Sequence, residues 1–178
     1  MKIQFVVVGK TTGKALCSLI DEYVARLGHY TPFEIEEIPA LKNTSALTEA
    51  VQKEREGELI LKRLREGDHL ILLDEGGKEY RSVEFADRLQ RLQVAGVRRV
   101  VFVVGGPYGF SAAVCAAARE KISLSRMTFS HQMVRLIFVE QCYRAMTILR
   151  GEPYQHEKAA YCRPAAVAAG DRHRRGAG

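Results

Sequence analysis

The sequence predicts an α/β protein with a mainly parallel sheet and helices on both faces. Three observations carry that prediction. Residues 3–8, 69–74 and 99–104 are nearly continuous apolar runs, the pattern of strands buried on both sides. Segments with helical spacing of apolar residues lie between them. Glycines, serines and threonines gather just after the strands, where a chain turns from strand to helix.

The elements follow in order. Residues 3–8 form the first strand, rich in valine. Leu16, Leu19, Ile20, Tyr23, Val24 and Leu27 recur at helical spacing, with Gly28 as the C-cap. Phe33, Ile35 and Ile38 mark an extended run closed by Pro39, and residues 39–45 read as a polar loop. A charged amphipathic helix is expected over 46–65, its Lys/Glu/Arg run forming a solvated face. Residues 69–74 give the third strand and 75–81 a loop. Ser82 is placed as the N-cap of a helix carrying Phe85, Ala86, Leu89 and Leu92, ended by Gly96. The fourth strand is 99–104. Ser111 caps an alanine-rich helix over 112–121, the fifth strand is expected over 122–128, and a long apolar helix over 132–150.

A chain of 178 residues with 47% hydrophobic and 27% charged residues suits one soluble domain. No apolar run approaches the roughly 20 residues that span a bilayer, and the apolar start is too short for a signal peptide. Cys17, Cys115, Cys142 and Cys162 form no C-x-x-C pair and no Cys/His cluster with zinc spacing, so no metal is expected. A reduced, cytoplasmic setting fits them. The net charge of +6 is uneven: residues 158–178 carry +4 and residues 1–157 only +2. The globular part is therefore near neutral, a weak electrostatic argument for nucleic acid. The tail is Ala-, Gly- and Arg-rich without periodicity, and is expected to be disordered.

In open α/β sheets ligands bind beyond the carboxyl ends of the strands. Three ends stand out here: 72–74, 104–107 and 124–129. Residues 9–14, Gly-Lys-Thr-Thr-Gly-Lys, tempt a P-loop reading, but Lys14 has Val8 where the motif needs glycine and Ala15 where it needs Ser or Thr. Residues 105–109 also fail the dinucleotide fingerprint. His131 stands before the last helix, as a cap or a catalyst. Arg135 lies within that helix among apolar positions, where a charge must be paired or face a site. Glu140 and Arg144 are spaced to satisfy each other. Tyr154 and His156 follow Gly151 and Pro153, where a terminal segment can fold back.

Four segments together carry a resemblance: Val103–Gly109, Leu124–Arg135, Glu140–Ala145 and Arg150–Tyr154. They resemble the ribosomal large-subunit RNA methyltransferase H family, small SPOUT-class enzymes that methylate N3 of a pseudouridine in helix 69 of bacterial 23S rRNA. The resemblance covers residues 1–157 and makes them the methyltransferase domain, with 158–178 as an added tail. It implies a deep C-terminal trefoil knot, S-adenosyl-L-methionine as cofactor, and a homodimer with its sites near the subunit interface. It places cofactor contacts on Leu73, Gly105, Leu124, Ser125, Arg126, Met127, Thr128 and Phe129, which fall on the three strand ends. His131, Arg135, Tyr154 and His156 are expected around the target base, with His131 or His156 as its proton acceptor. The partner is 23S rRNA in the assembled ribosome. Family members usually end shortly after the Tyr matching Tyr154, so the 21-residue tail is a departure. The residues alone leave a second reading open: a non-catalytic, ribosome-associated module that binds S-adenosylmethionine or a nucleotide through the same glycines.

Overall fold

Strands and helices alternate along the chain in the computed structural model, which describes residues 1–154. His156, Cys162 and the 158–178 tail lie outside the described residues. The strands are β1 (Lys2–Val8), β2 (Phe33–Ile38), β3 (His69–Glu79), β4 (Arg99–Val104) and β5 (Glu120–Ser123). They form one sheet in the order β2-β1-β4-β3-β5, with every pairing parallel. The helices are α1 (Lys14–Leu27), α2 (Glu49–Leu61), α3 (Ser82–Val94), α4 (Ala112–Ala117) and α5 (Met133–Leu149).

The apolar strands read as continuous because both faces of the sheet are covered. Ile3, Phe5 and Val7 of β1 join Ile71, Val100, Phe102 and Ile122 in a core that also takes in α3 and α5. Alternate residues, Val6, Leu70, Leu72, Val101 and Val103, point the other way, to Ile60 of α2 and Val114 of α4. Phe138 of α5 anchors the larger core, with its ring 4.6 Å from Phe5 and 4.7 Å from Phe102. No helix among the described residues is long and apolar enough to cross a membrane.

Several boundaries differ from expectation. α2 begins at Glu49 because Thr48 caps it, its Oγ1 accepting the Val51 N–H at 3.2 Å. Ser82 is the first residue of α3 rather than its cap. The preceding Arg81 N–H donates to Glu84 Oε2 at 2.8 Å, while the Ser82 hydroxyl donates to Gln141 Oε1 at 2.9 Å on α5. Residues 75–79, expected as loop, continue β3 past a register shift at which both Leu73 and Lys78 pair with Ile122. β5 stops at Ser123, so 124–129 is loop rather than strand. The serine side chains explain the stop: Ser123 Oγ donates to Ser125 O at 3.0 Å, and Ser125 Oγ accepts the Met127 N–H at 2.9 Å.

An ion pair closes the edge of the sheet opposite the strand C-termini. Arg99 at the start of β4 donates Nε to Asp68 Oδ1 at 2.8 Å and Nη2 to Oδ2 at 2.5 Å. Burial pushes the Asp68 carboxyl up, but the Arg99 hydrogen bonds, the Arg65 N–H and the Arg99 charge outweigh it and hold its pKa below the ordinary value. A depressed folded pKa means the unfolded chain takes the proton first. The contribution is therefore complete above about pH 3.9 and is lost as pH falls through the folded value. Asp68→Asn is expected to be less stable than wild type at neutral pH and to lose less on acidification. Urea unfolding midpoints measured down the acid range check both.

Candidate functional site

Because every strand runs parallel, the C-terminal ends of β1, β3, β4 and β5 share one edge of the sheet. A cavity of about 550 Å³ opens there. Its walls are Leu73–Glu75 after β3, Val104–Phe110 after β4, Ser123–Ser125 and Met127–Phe129 after β5, and His131 with Val134 at the start of α5. The size and mixed lining suit a small-molecule cofactor. Gly105 keeps the wall thin, since a Cβ there would stand 3.1 Å from the Phe110 ring.

The sequence-selected residues do not all share one place. Leu73, Gly105, Leu124, Ser125, Met127, Thr128, Phe129 and His131 come together around this cavity. Arg126 is outside its lining: its side chain is 90% exposed and stands 3.5 Å from Glu79. Met127 lines the cavity and is also 78% exposed, so it forms part of the rim. His131 is exposed. The side-chain bond at this helix start belongs to Ser130, whose Oγ accepts the Met133 N–H at 3.1 Å, leaving the imidazole out of the capping role.

Arg135 is a buried clamp. Its residue is 2% exposed. Nη2 donates to Val8 O at 2.8 Å, Nη1 to Gly9 O at 3.0 Å and Thr11 Oγ1 at 2.9 Å, and Nε to His131 O at 2.9 Å. Burial pulls the guanidinium below its ordinary pKa, offset by Glu37 and Cys17. Gln132 adds a second tie: it donates to Lys10 O at 3.1 Å and accepts the Thr12 N–H at 2.8 Å. The loop after β1, once tempting as a P-loop, is thus fastened to the start of α5. Gly9, with φ of +79°, lets its carbonyl turn toward Arg135.

Tyr154 lies elsewhere. It follows the C-terminal end of α5, and its side chain folds back along the helix to Glu140, near the helix middle. Its hydroxyl donates to Glu140 Oε1 at 3.0 Å and stands 3.4 Å from the Tyr23 hydroxyl. Arg144 donates to the same Glu140 oxygen at 2.5 Å and stacks over the Tyr154 ring at 4.7 Å. Burial, then the bonds to Tyr23 and Glu140, push the Tyr154 phenol well above its ordinary pKa, so it stays a proton donor. Arg135 thus bonds to the loop after β1 and to His131 O, whereas the Tyr154 hydroxyl bonds to Glu140 and Tyr23. His156 is outside the described residues.

Two contributors escaped sequence reasoning. Gln132 shows no pattern of its own. Glu56 sits in the charged run of α2 yet is 4% exposed and packed under Gly106. Its only sequence signal is spacing, since Gln52, Glu56 and Ile60 share one helical stripe. Among the described residues, no group of His, Cys, Asp and Glu could hold a metal ion.

With this geometry in place, similarity to known proteins adds an independent line. A family model described as "Predicted SPOUT methyltransferase" matches residues 1–156. A protein of Parabacteroides distasonis named "Ribosomal RNA large subunit methyltransferase H" is 61% identical over 157 residues, covering 88% of this chain and all of the relative. Proteins of the same name from Bacteroides fragilis and Flavobacterium johnsoniae are 57% and 55% identical over the same shares of each chain. Identity of this order across the whole length of the relatives, with a match from residue 1 to residue 156, means that the chain belongs to the SPOUT methyltransferase family.

Proposed function

We propose that this methyltransferase moves a methyl group from S-adenosylmethionine to N3 of a pseudouridine in helix 69 of 23S rRNA, on the assembled ribosome in the cytoplasm. The observation that carries the reading is the cavity. Loops from three separate strand ends line one space of suitable size. Leu73, Gly105 and the 124–129 loop would hold the cofactor, which supplies an electrophilic methyl group. The trefoil knot belongs to the same reading. It is supported by α5, which departs from β5 at one edge of the sheet and packs against both α1 and α3.

The protein's own task is alignment and proton removal. Holding the reacting atoms in line can supply on the order of 7–11 kcal/mol in favourable systems. His131, at the cavity and exposed, accepts the N3 proton on its unprotonated nitrogen. Arg135 acts through others: it holds the 8–11 loop and the His131 backbone in place.

Tyr154 reaches a cavity only in a homodimer. Two α5 helices packed about a two-fold axis that crosses them run antiparallel, so the Tyr154 end of one meets the His131 end of the other. The half-buried Leu136, Ile137 and Glu140 and the exposed Met133 offer such a surface. The near-neutral charge of residues 1–157 fits a substrate presented by ribosomal surfaces better than free RNA.

The test is labelled methyl transfer to ribosomes from a strain lacking the modification. Incorporation into 23S rRNA is expected; tight cofactor binding without incorporation would leave a binding module instead. His131→Ala is expected to slow single-turnover transfer by roughly 10²–10⁴-fold. An unchanged rate removes His131 from proton transfer.

A further inference from the structure

Among the described residues, one buried side-chain oxygen has no hydrogen-bond partner: Oε2 of Glu56. The other carboxylate oxygen, Oε1, accepts from Gln52 Nε2 at 3.0 Å. The unpartnered oxygen stands so close to Gly106 that a Cβ on that residue would overlap it. The next residue, Gly57, abuts Ser111, whose Oγ caps α4 by accepting the Val114 N–H at 3.3 Å. Helix α2 therefore rests its Glu56–Gly57 step on the back of the loop whose front, Gly105 to Phe110, walls the cavity.

A buried acceptor left unpaired costs free energy, and an apolar side chain of the same shape would avoid that cost. In native structures such groups are few, and the exceptions mark functional or strained sites. The loop above has main-chain N–H groups to offer. Pro107 has none, and Gly106 and Gly109 are bridged to each other, with the Gly109 N–H on Gly106 O at 3.1 Å, which leaves those of Gly105, Tyr108 and Phe110.

We propose that Glu56 is a positioning residue for the methyl-donor cavity: its open oxygen accepts a main-chain N–H of the 105–110 loop when the loop closes on bound ligand. Ligand binding and satisfaction of the carboxylate are then one event, and the open oxygen favours the form of the loop in which it is paired. The inference rests on the reading that the cavity holds S-adenosylmethionine.

Glu56→Met removes the acceptor while keeping the side-chain length, and Glu56→Gln keeps an amide oxygen that can be turned either way. Glu56→Met is expected to unfold at the same or a higher temperature than wild type without ligand, yet to bind S-adenosylmethionine about tenfold more weakly by calorimetry. Its KM for the cofactor rises by the same factor, with kcat little changed. Glu56→Gln restores most of the affinity. In hydrogen exchange, cofactor protects the 105–110 amides in wild type and in the Gln variant, and much less in the Met variant. Wild-type affinity in Glu56→Met overturns the proposal, and so does a parallel loss of stability and affinity, which marks a plain scaffold residue. A wild-type protein that binds no S-adenosylmethionine overturns the cavity assignment and this inference together, a result distinct from either.

Discussion

Gly77→Ala is expected to destabilise the protein by about 3 kcal/mol, toward or beyond the upper end of the usual cost of overpacking. A Cβ at that position would stand 2.6 Å from both the N and the C of Ile122 and 2.7 Å from the C of Lys121. These are backbone atoms of β5, which no side-chain rotation can move. The glycine sits where β3 shifts register, between Leu73 and Lys78, both paired to Ile122. Relief requires β5 to move away, and β5 leads directly into Ser123 and the loop that lines the cavity. Loss of methyl transfer is therefore expected beside the loss of stability. Gly76→Ala is the control: its Cβ would meet only Asp74 Oδ1 at 3.2 Å, the end of a side chain that can rotate. Its expected cost is under about 1 kcal/mol, in the range of ordinary tolerated changes. Urea midpoints of the two variants decide the matter, and equal shifts would contradict the close-approach argument.

The parallel sheet was legible because its strands bury both faces and so lose the polar alternation that marks a half-exposed strand. That the ends of β3, β4 and β5 meet around one cavity was legible from topology, a rule that needs no side-chain detail, but not that Arg126 stays outside its lining. What stayed hidden depends on contacts between distant segments. Residues 122–128 read as one strand, but Ser123 and Ser125 turn the backbone into loop from 124 onward. Residues 75–79 read as loop from their glycines, though Gly77 is there so that β3 can lie against Ile122. Glu56 hides in a charged run in which Glu54, Arg55 and Glu58 face solvent, since helical spacing of polar residues does not say which one is buried. The family resemblance groups Tyr154 with His131, while the structure seats the Tyr154 hydroxyl on Glu140 and beside Tyr23, midway along α5.

Arg135 was the sharpest case, because the sequence posed the right question and could not answer it. A guanidinium in an apolar helix must be satisfied, and its partners are the carbonyls of Val8 and Gly9, 127 and 126 residues earlier. Replacing it with Met strands those carbonyls, Thr11 Oγ1 and the link to His131 O. The expected loss is on the order of 3 kcal/mol, since hydrogen bonds from charged donors contribute about 1.5–3 kcal/mol and unpaired buried acceptors add to the cost. Arg135→Lys is expected to rescue little, because a single ammonium cannot reach carbonyls on two sides as the planar fork does. Single-turnover transfer should fall in both variants. The affinity for S-adenosylmethionine should change less, since the 105–110 and 124–129 walls do not bond to Arg135. A pH–rate profile of wild-type shape but lower height is the mark of a residue that places His131 without exchanging protons itself. Retained stability with a lost rate would instead mean that the guanidinium leaves the 8–11 loop and meets the target base. Paired urea unfolding and single-turnover measurements on Arg135→Met and Arg135→Lys separate these outcomes.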